Sequence, residues 1–267
     1  MSVSQGGGGG GGEGEGENEP VPDYAYAGGR IVAYDSSVIR NCVTGSKFYP
    51  YDYDHASGFT DVTFATTDTL LSSGEDFKAG VYLNRVKGID FKGCTFKNTR
   101  STGEVAQDKR GIGIYSFDSE FNVLDFCSST SSPCPPVYKQ PCLFKKLYYG
   151  IKALNSLTTS TFTVDTAVFD NNVRALYAGA VDDITVTRSR FELGNSFDGA
   201  RGIYLDECTG YTIEENEIIE EGNETIGIVV NQSGGDLNEI YLNRFIDTKF
   251  GILTQNENRA PTAPGCK

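Results

Sequence analysis

From about residue 80 onward the chain repeats one short pattern: a glycine, an apolar residue, any residue, then an apolar residue again. It opens at Gly80 (GVYL), Gly113 (GIYS), Gly150 (GIKA), Gly202 (GIYL), Gly227 (GIVV) and Gly251 (GILT), and Ala175 (ALYA) takes the glycine slot once. From Gly150 the starts are spaced by 25, 27, 25 and 24 residues. Each pattern predicts a short strand, because alternate side chains of an extended chain point to opposite faces. A second alternating segment follows: Ile89-Asp-Phe91, Phe162-Thr-Val164, Ile184-Thr-Val186, Tyr211-Thr-Ile213 and Ile240-Tyr-Leu242. A third carries Phe96, Phe169, Phe191, Ile218 and Phe245, usually after a small polar residue. Phe91, Phe96, Phe169, Phe191, Ile213, Ile240 and Phe245 are the expected core.

Three short strands per repeat, joined by polar bends, with repeats of this size, describe the coils of a solenoid. The fold expected is all-β: a right-handed parallel β-helix of the pectin-lyase-like kind. Leucine-rich repeats have similar periods, but their asparagine-centred leucine pattern is missing and helical periodicity is absent. Residues 1–27 form a Gly/Glu-rich stretch too polar to bury a core, expected to be a disordered linker. Residues 28–267 form the β-helix domain. The steps from Gly80 to Gly113 and from Gly113 to Gly150 are 33 and 37 residues, so insertions are expected near 99–110 and 128–140. A third irregular stretch, 44–79, is rich in Tyr, Asp and Thr. Long loops on a solenoid tend to carry its binding surfaces.

Composition narrows the partners. Formal net charge is −13 and the pI is near 4.6. Such a surface repels phosphate backbones and anionic lipid, which argues against nucleic acid. No segment approaches the roughly 20 apolar residues of a membrane span. No leader peptide opens the chain, and both ends are abrupt, so it is expected to be a piece of a longer protein. The seven cysteines include three in one Pro/Ser segment, CSSTSSPCPPVYKQPC. With no histidine nearby and no C-x₂-C spacing, a zinc site is not expected there. Cys134 is expected to pair with Cys127 or with Cys142, which implies an oxidising compartment. Cys42, Cys94 and Cys208 read as small core residues.

Three sets of residues bear on chemistry. Asp182-Asp183, Arg188, Arg190 and Asp206-Glu207 are the nearest approach to the carboxylates and bases of a polysaccharide hydrolase or lyase. Asp206-Glu207 falls one coil after Asp182-Asp183 at nearly the same register, and the lone histidine, His55, is far away in sequence. Solvated acidic bends and an alternating strand face explain them as well. In the repeated pattern, the middle residue of the triplet faces outward. That slot holds Tyr82, Tyr115, Lys152, Tyr177, Tyr204, Val229 and Leu253, and coils stack at about 4.8 Å, so these side chains should form a file. Tyr82, Tyr115, Tyr177 and Tyr204 are candidate glycan-binding rings; mutual stacking that covers the sheet is the competing explanation. The slot four residues after the glycine (Asn84, Asp206, Asn231, Gln255) reads as an inward polar ladder that satisfies bend backbone groups. No cofactor or metal ligand set is expected, although the acidic surface is compatible with Ca²⁺.

The segments NRVKGIDFKGCTFKNTR, RGIGIYSFDSEF, LYYGIKALNS, GIYLDECTGYTIEEN, VVNQSGGDLNEIYLNRF and QNENRA, with the three-cysteine segment, resemble a group of large secreted β-helix proteins of Bacteroidota. Those proteins often end in a sorting domain for type IX secretion, which this chain lacks. The resemblance runs from about Gly28 to the end and implies fold and an extracellular or outer-surface location, not an activity. The function expected is a non-catalytic structural or adhesive module with weak glycan or surface-protein binding. The alternative is a polysaccharide lyase or glycoside hydrolase acting on acidic glycans.

Overall fold

A computed structural model describes residues 30–258 apart from 52–53, 68–74, 102, 157–159, 195–196, 198, 221–223 and 235–237, and apart from the side chains of 54–56. The Gly/Glu-rich stretch 1–27 and Cys266 therefore lie outside the described residues. Three parallel sheets of eight strands wind into a right-handed parallel β-helix. Sheet A runs from Val32–Ala33 to Glu239–Tyr241, sheet B from Val38–Arg40 to Arg244–Ile246, and sheet C from Thr44–Phe48 to Phe250–Gln255. Each coil contributes one strand to each sheet in the order A, B, C. Helical structure among the described residues is limited to two 3-10 turns, Gln107–Lys109 and Pro136–Tyr138, and none is long and apolar enough to cross a membrane.

The core is a set of stacks, because parallel coils place like residues above one another. On sheet B, Phe64, Phe96, Phe144, Phe169 and Phe191 lie ring on ring, with centroids 4.7–4.9 Å apart and planes within 10°. Ile218 and then Phe245 continue the column. Phe91, Phe96, Phe169, Phe191 and Ile213 are fully buried, while Ile240 and Phe245, in the last described coil, are only partly so. The glycine that opens each sheet C pattern is explained by this column. A Cβ at Gly113 would come within 2.5 Å of the carbonyl oxygen of Gly150 and 2.8 Å of a Phe144 ring carbon. The slot is therefore small because the neighbouring coil's backbone and the phenylalanine rings fill the space.

Corners between sheets turn on single residues with positive φ: for example Asp118 and Glu207 from C to A, Thr166 and Arg188 from A to B, and Lys146 and Asn171 from B to C. Beside them, short polar side chains of one coil accept from the backbone N–H of the preceding one. Ser119 Oγ accepts from Val86 (3.1 Å), Asn172 Oδ1 from Leu147 (3.0 Å), Ser189 Oγ from Ala167 (3.1 Å), Asn216 Oδ1 from Ser189 (2.9 Å) and Ser233 Oγ from Cys208 (3.0 Å). These buried ladders satisfy backbone donors that would otherwise be stranded in the core. They are not the slot read as an inward ladder. Asn84, Asp206, Asn231 and Gln255 share one register on sheet C, two residues after Tyr82 and its equivalents, and so face outward. Leu242 also departs from expectation: Ile240 aligns with Ile213, so Leu242 falls on the corner, at φ 52° and 71% exposed.

The insertions leave the helix at corners. Residues 128–140 leave between sheets A and B, in an antiparallel pair of Phe126–Cys127 with Lys139–Gln140, closed by a Cys127–Cys134 disulfide. Gln140 anchors it, donating to Asp61 Oδ1 (2.8 Å) and to the Gly93 carbonyl (2.9 Å). Cys142 is a free, buried thiol at the start of a sheet B strand, one coil above Cys94. Cys94 and Cys208 are buried too, whereas Cys42 is exposed, contrary to its reading as a core residue. The 99–110 insertion lies between sheets B and C.

Candidate groove on the outer face of sheet C

The outward slot of sheet C forms one continuous file. Lys47, Tyr82, Tyr115, Lys152, Tyr177, Tyr204, Val229 and Leu253 are register partners from coil to coil. Tyr82 and Tyr115 meet edge to face at 5.2 Å, and Tyr177 and Tyr204 stack at 5.4 Å. All four tyrosines are half-buried, whereas Val229 is fully covered. Lys47 reaches over the rings of Tyr49 (4.8 Å) and Tyr82 (5.4 Å). Lys152 reaches over Tyr115 (5.5 Å) and Tyr149 (5.3 Å). An ammonium over a ring face is attracted by the ring's quadrupole.

The first half of this file is the floor of a groove of about 680 Å³. Tyr82, Tyr115, Tyr149 and Lys152 line it, together with Phe77 and Lys109 from the neighbouring loops. Burial pushes the Tyr115 and Tyr149 phenols up, and burial followed by the neighbouring Arg174 charge pulls the Lys152 ammonium down. Arg174 donates to the Tyr149 hydroxyl at 2.6 Å. Tyr177 and Tyr204 continue the file beyond the groove, and the Tyr177 hydroxyl donates to Asp206 at 2.7 Å.

One residue that nothing in the repeat pattern singles out holds the groove's edge. Arg110, closing the 99–110 insertion, is fully buried. Its guanidinium donates to the carbonyls of Lys146 (2.7 Å), Arg100 (3.0 Å), Asn98 (3.2 Å) and Ser101 (3.4 Å). A buried cation is tolerable only when its donors are satisfied, and here backbone carbonyls of the insertion and of the next coil do so. The stretch that supplies Asp108, Lys109 and Gly111 to the groove is thereby pinned to the helix. A charged residue among polar loop residues gives no sign in sequence that it will be buried.

The acidic and basic candidates do not converge. Asp206 aligns with Gly179, and Asp182 with Thr209, so the two acidic pairs are three positions out of register. Asp182 accepts from the Thr209 hydroxyl, Asp183 sits exposed on the corner, and Asp206 accepts from Tyr177 and Asn231. Arg188, at the A–B corner, is paired with Asp165 (2.7 Å), and Arg190, on sheet B, with Glu192 (2.7 Å) and Glu217 (2.5 Å). Glu207 is an exposed corner residue. These six side chains are spread over a corner, a second corner and two sheets, so they form no shared acid–base site. Of the two carboxylates lining the groove, Asp76 is tied to Lys109 at 3.2 Å. Among the described residues, no group of three or more His, Cys, Asp or Glu side chains could hold a metal ion. His55 lies on the strand Asp54–Thr60, with its side chain outside the described residues.

Among known families, the model of one described as periplasmic copper-binding protein (NosD) matches residues 61–260. No curated protein and no solved structure matches the chain.

Proposed function

The chain belongs to the NosD family, and on that premise we propose that it is a non-catalytic β-helix module working outside the cytoplasm, structural or adhesive in role, that holds an extended glycan in the sheet C groove. The observation that carries this reading is the half-buried pair Tyr82 and Tyr115 on successive coils of the groove floor, in a file that Tyr177 and Tyr204 continue beyond it. Sugar rings pack their C–H faces on such rings, and a file with a repeat of about 4.8 Å suits a linear polymer better than a compact ligand. The Cys127–Cys134 disulfide and the periplasmic location in the family's name both support an oxidising, extracytoplasmic setting. Export to the outer surface, by the route of the Bacteroidota proteins that the sequence resembles, belongs to the same proposal.

The copper named in the family description needs thiolate, thioether or imidazole donors brought together. The described residues do not fit that requirement. Cys94 and Cys142 are adjacent, but the Cys142 sulfur accepts from the Cys94 N–H (3.2 Å) and both thiols point to backbone carbonyls inside a packed corner. Among the described side chains no histidine joins them. The proposal therefore makes no use of a metal.

Affinity electrophoresis through a panel of neutral and acidic polysaccharides, with and without Ca²⁺, tests the reading. The expected result is retardation without product. Tyr82→Ala with Tyr115→Ala should abolish it, while Tyr177→Ala with Tyr204→Ala, outside the groove, should weaken it less. Release of oligosaccharides, or retardation by none of the panel, would overturn the proposal.

A further inference from the structure

The cations of this protein are distributed in two ways. On sheets A and B several sit against carboxylates, Lys92 on Asp90 (2.9 Å), Lys145 on Asp170 (2.5 Å), Arg190 on Glu217 (2.5 Å) and Arg244 on Glu217 (3.1 Å), while Arg40 and Lys97 have no ion pair among the described residues. The outer face of sheet C is different. Lys47, Lys152, Arg174 and Arg201 have no ion pair among the described residues, and each lies over tyrosine rings instead. Arg174 and Arg201 are direct register partners, an arrangement of like charges across neighbouring strands that is unfavourable by itself. In a chain with 36 acidic residues and a net charge of −13, four cations on one face without a carboxylate partner are against the general balance.

Position within the groove sharpens the point. Lys47 and Lys152 occupy the same outward slot as Tyr82 and Tyr115 and bracket them, three coil steps or roughly 14 Å apart. The other two lysines of the groove are already committed, Lys109 to Asp76 (3.2 Å) and Lys78 to Glu75 (3.3 Å). What the groove leaves open is therefore a lysine at each end of its floor with aromatic rings between, beside one exposed carboxylate, Asp108, on the neighbouring loop. Lys152, half-buried beside Arg174, carries an ammonium with no carboxylate partner among the described residues.

We infer that the ligand of this groove is an anionic polysaccharide, whose carboxylate or sulfate groups are taken by Lys47 and Lys152 while its rings lie on Tyr82 and Tyr115. This rests on the glycan reading above and adds the charge class. At the half-buried Lys152 the acidic group would complete an ion pair at a site already partly desolvated, where attraction is screened less than at the exposed Lys47. Arg174 holds Tyr149 and adds to the field at the same end.

The test is calorimetric titration of the folded chain with polygalacturonate, its fully methyl-esterified and therefore uncharged form, and dextran sulfate. The charged polymers should bind about tenfold more tightly than the esterified one, a difference worth about 1.4 kcal/mol, and the difference should shrink as salt is raised. Preference for polygalacturonate identifies carboxylate recognition; preference for dextran sulfate identifies sulfate. Lys47→Gln with Lys152→Gln should remove the preference while leaving binding of the esterified polymer, and Lys152→Arg, with Lys47 intact, should keep it. Thermal melting of each variant checks that it is folded. Lys97→Gln on sheet B removes one such charge away from the groove and should have no effect. Equal binding of charged and esterified polymers overturns the charge inference and leaves the glycan reading standing. Equal loss in Lys97→Gln would show non-specific attraction and also overturns it. No binding to any polymer overturns the glycan reading itself.

Discussion

At the scale of single residues, this structure is shaped by its corners. A corner residue with φ near 50° suits Asn or Asp, which tolerate the left-handed conformation, and Asp118 and Asn171 fit that rule. Thr166 and Ala180 occupy the same conformation, at φ 54° and 53°, without that tolerance. The coils are held by stacking and by buried N–H acceptors strongly enough to impose it. The thiols show how environment separates chemically identical groups. Burial pushes the Cys208 thiol up to about 12 and the Cys142 thiol well above its ordinary value, so little thiolate exists at pH 8. Cys42 is exposed. Brief alkylation of the native protein, read by peptide mass mapping, should label Cys42 and leave Cys94, Cys142 and Cys208 unmodified until denaturant is added. Labelling of Cys208 as fast as Cys42 would contradict the burial described.

At the scale of elements, the unit of stability is the column, not the strand. A sheet B strand of four residues contributes one large inward ring, and that ring matters because it lies against the rings above and below. Phe191 contacts Phe169 at 4.7 Å with nearly parallel planes and is followed by Ile218 in the next coil. Phe191→Ala removes a fully buried side chain from the middle of a stack that cannot close the gap without shifting whole coils. It should cost about 3–5 kcal/mol, measured by chemical denaturation. A cost under about 1 kcal/mol would mean the stack is not packed as described.

At the scale of the whole molecule, acid should be destabilising despite the large negative charge. Hydrogen bonds from the Ser36 hydroxyl and then the Gln140 amide lower the Asp61 pKa. Burial raises that of Asp170, but the Lys145 and Asn171 contacts outweigh it and the net direction is down. A carboxylate whose native pKa lies below its unfolded value, about 3.9 for Asp, stabilises the fold above that value and ceases to as pH falls through the native pKa. Melting temperature should therefore decline below about pH 4, and the loss at Asp61 should loosen the 128–140 insertion that Gln140 ties down. Scanning calorimetry from pH 7 to pH 2.5 reads this directly; a melting temperature that rose on acidification below pH 4 would be inconsistent with it.

The sequence by itself determined whatever depends on local geometry repeated at a constant period. Alternation within a strand is a property of the extended backbone, so the inward Phe169 and Phe191 and the outward Tyr82, Tyr115, Tyr177 and Tyr204 could be placed from the repeated pattern alone. Phe64 and Phe144 belong to the same column but were hidden, because long insertions displace their coils from the common period. Only the tertiary structure decided what depends on how corners and insertions close. Whether Leu242 lies in a strand or on a corner, and whether Asp182 and Asp206 align or miss by three positions, follows from hydrogen-bonded register between coils, which one residue more or less in a bend changes. The groove is of this second kind. Its floor is a local pattern, but its edge exists because Arg110 finds carbonyls from residues on two coils, a set of partners that no spacing in the chain encodes.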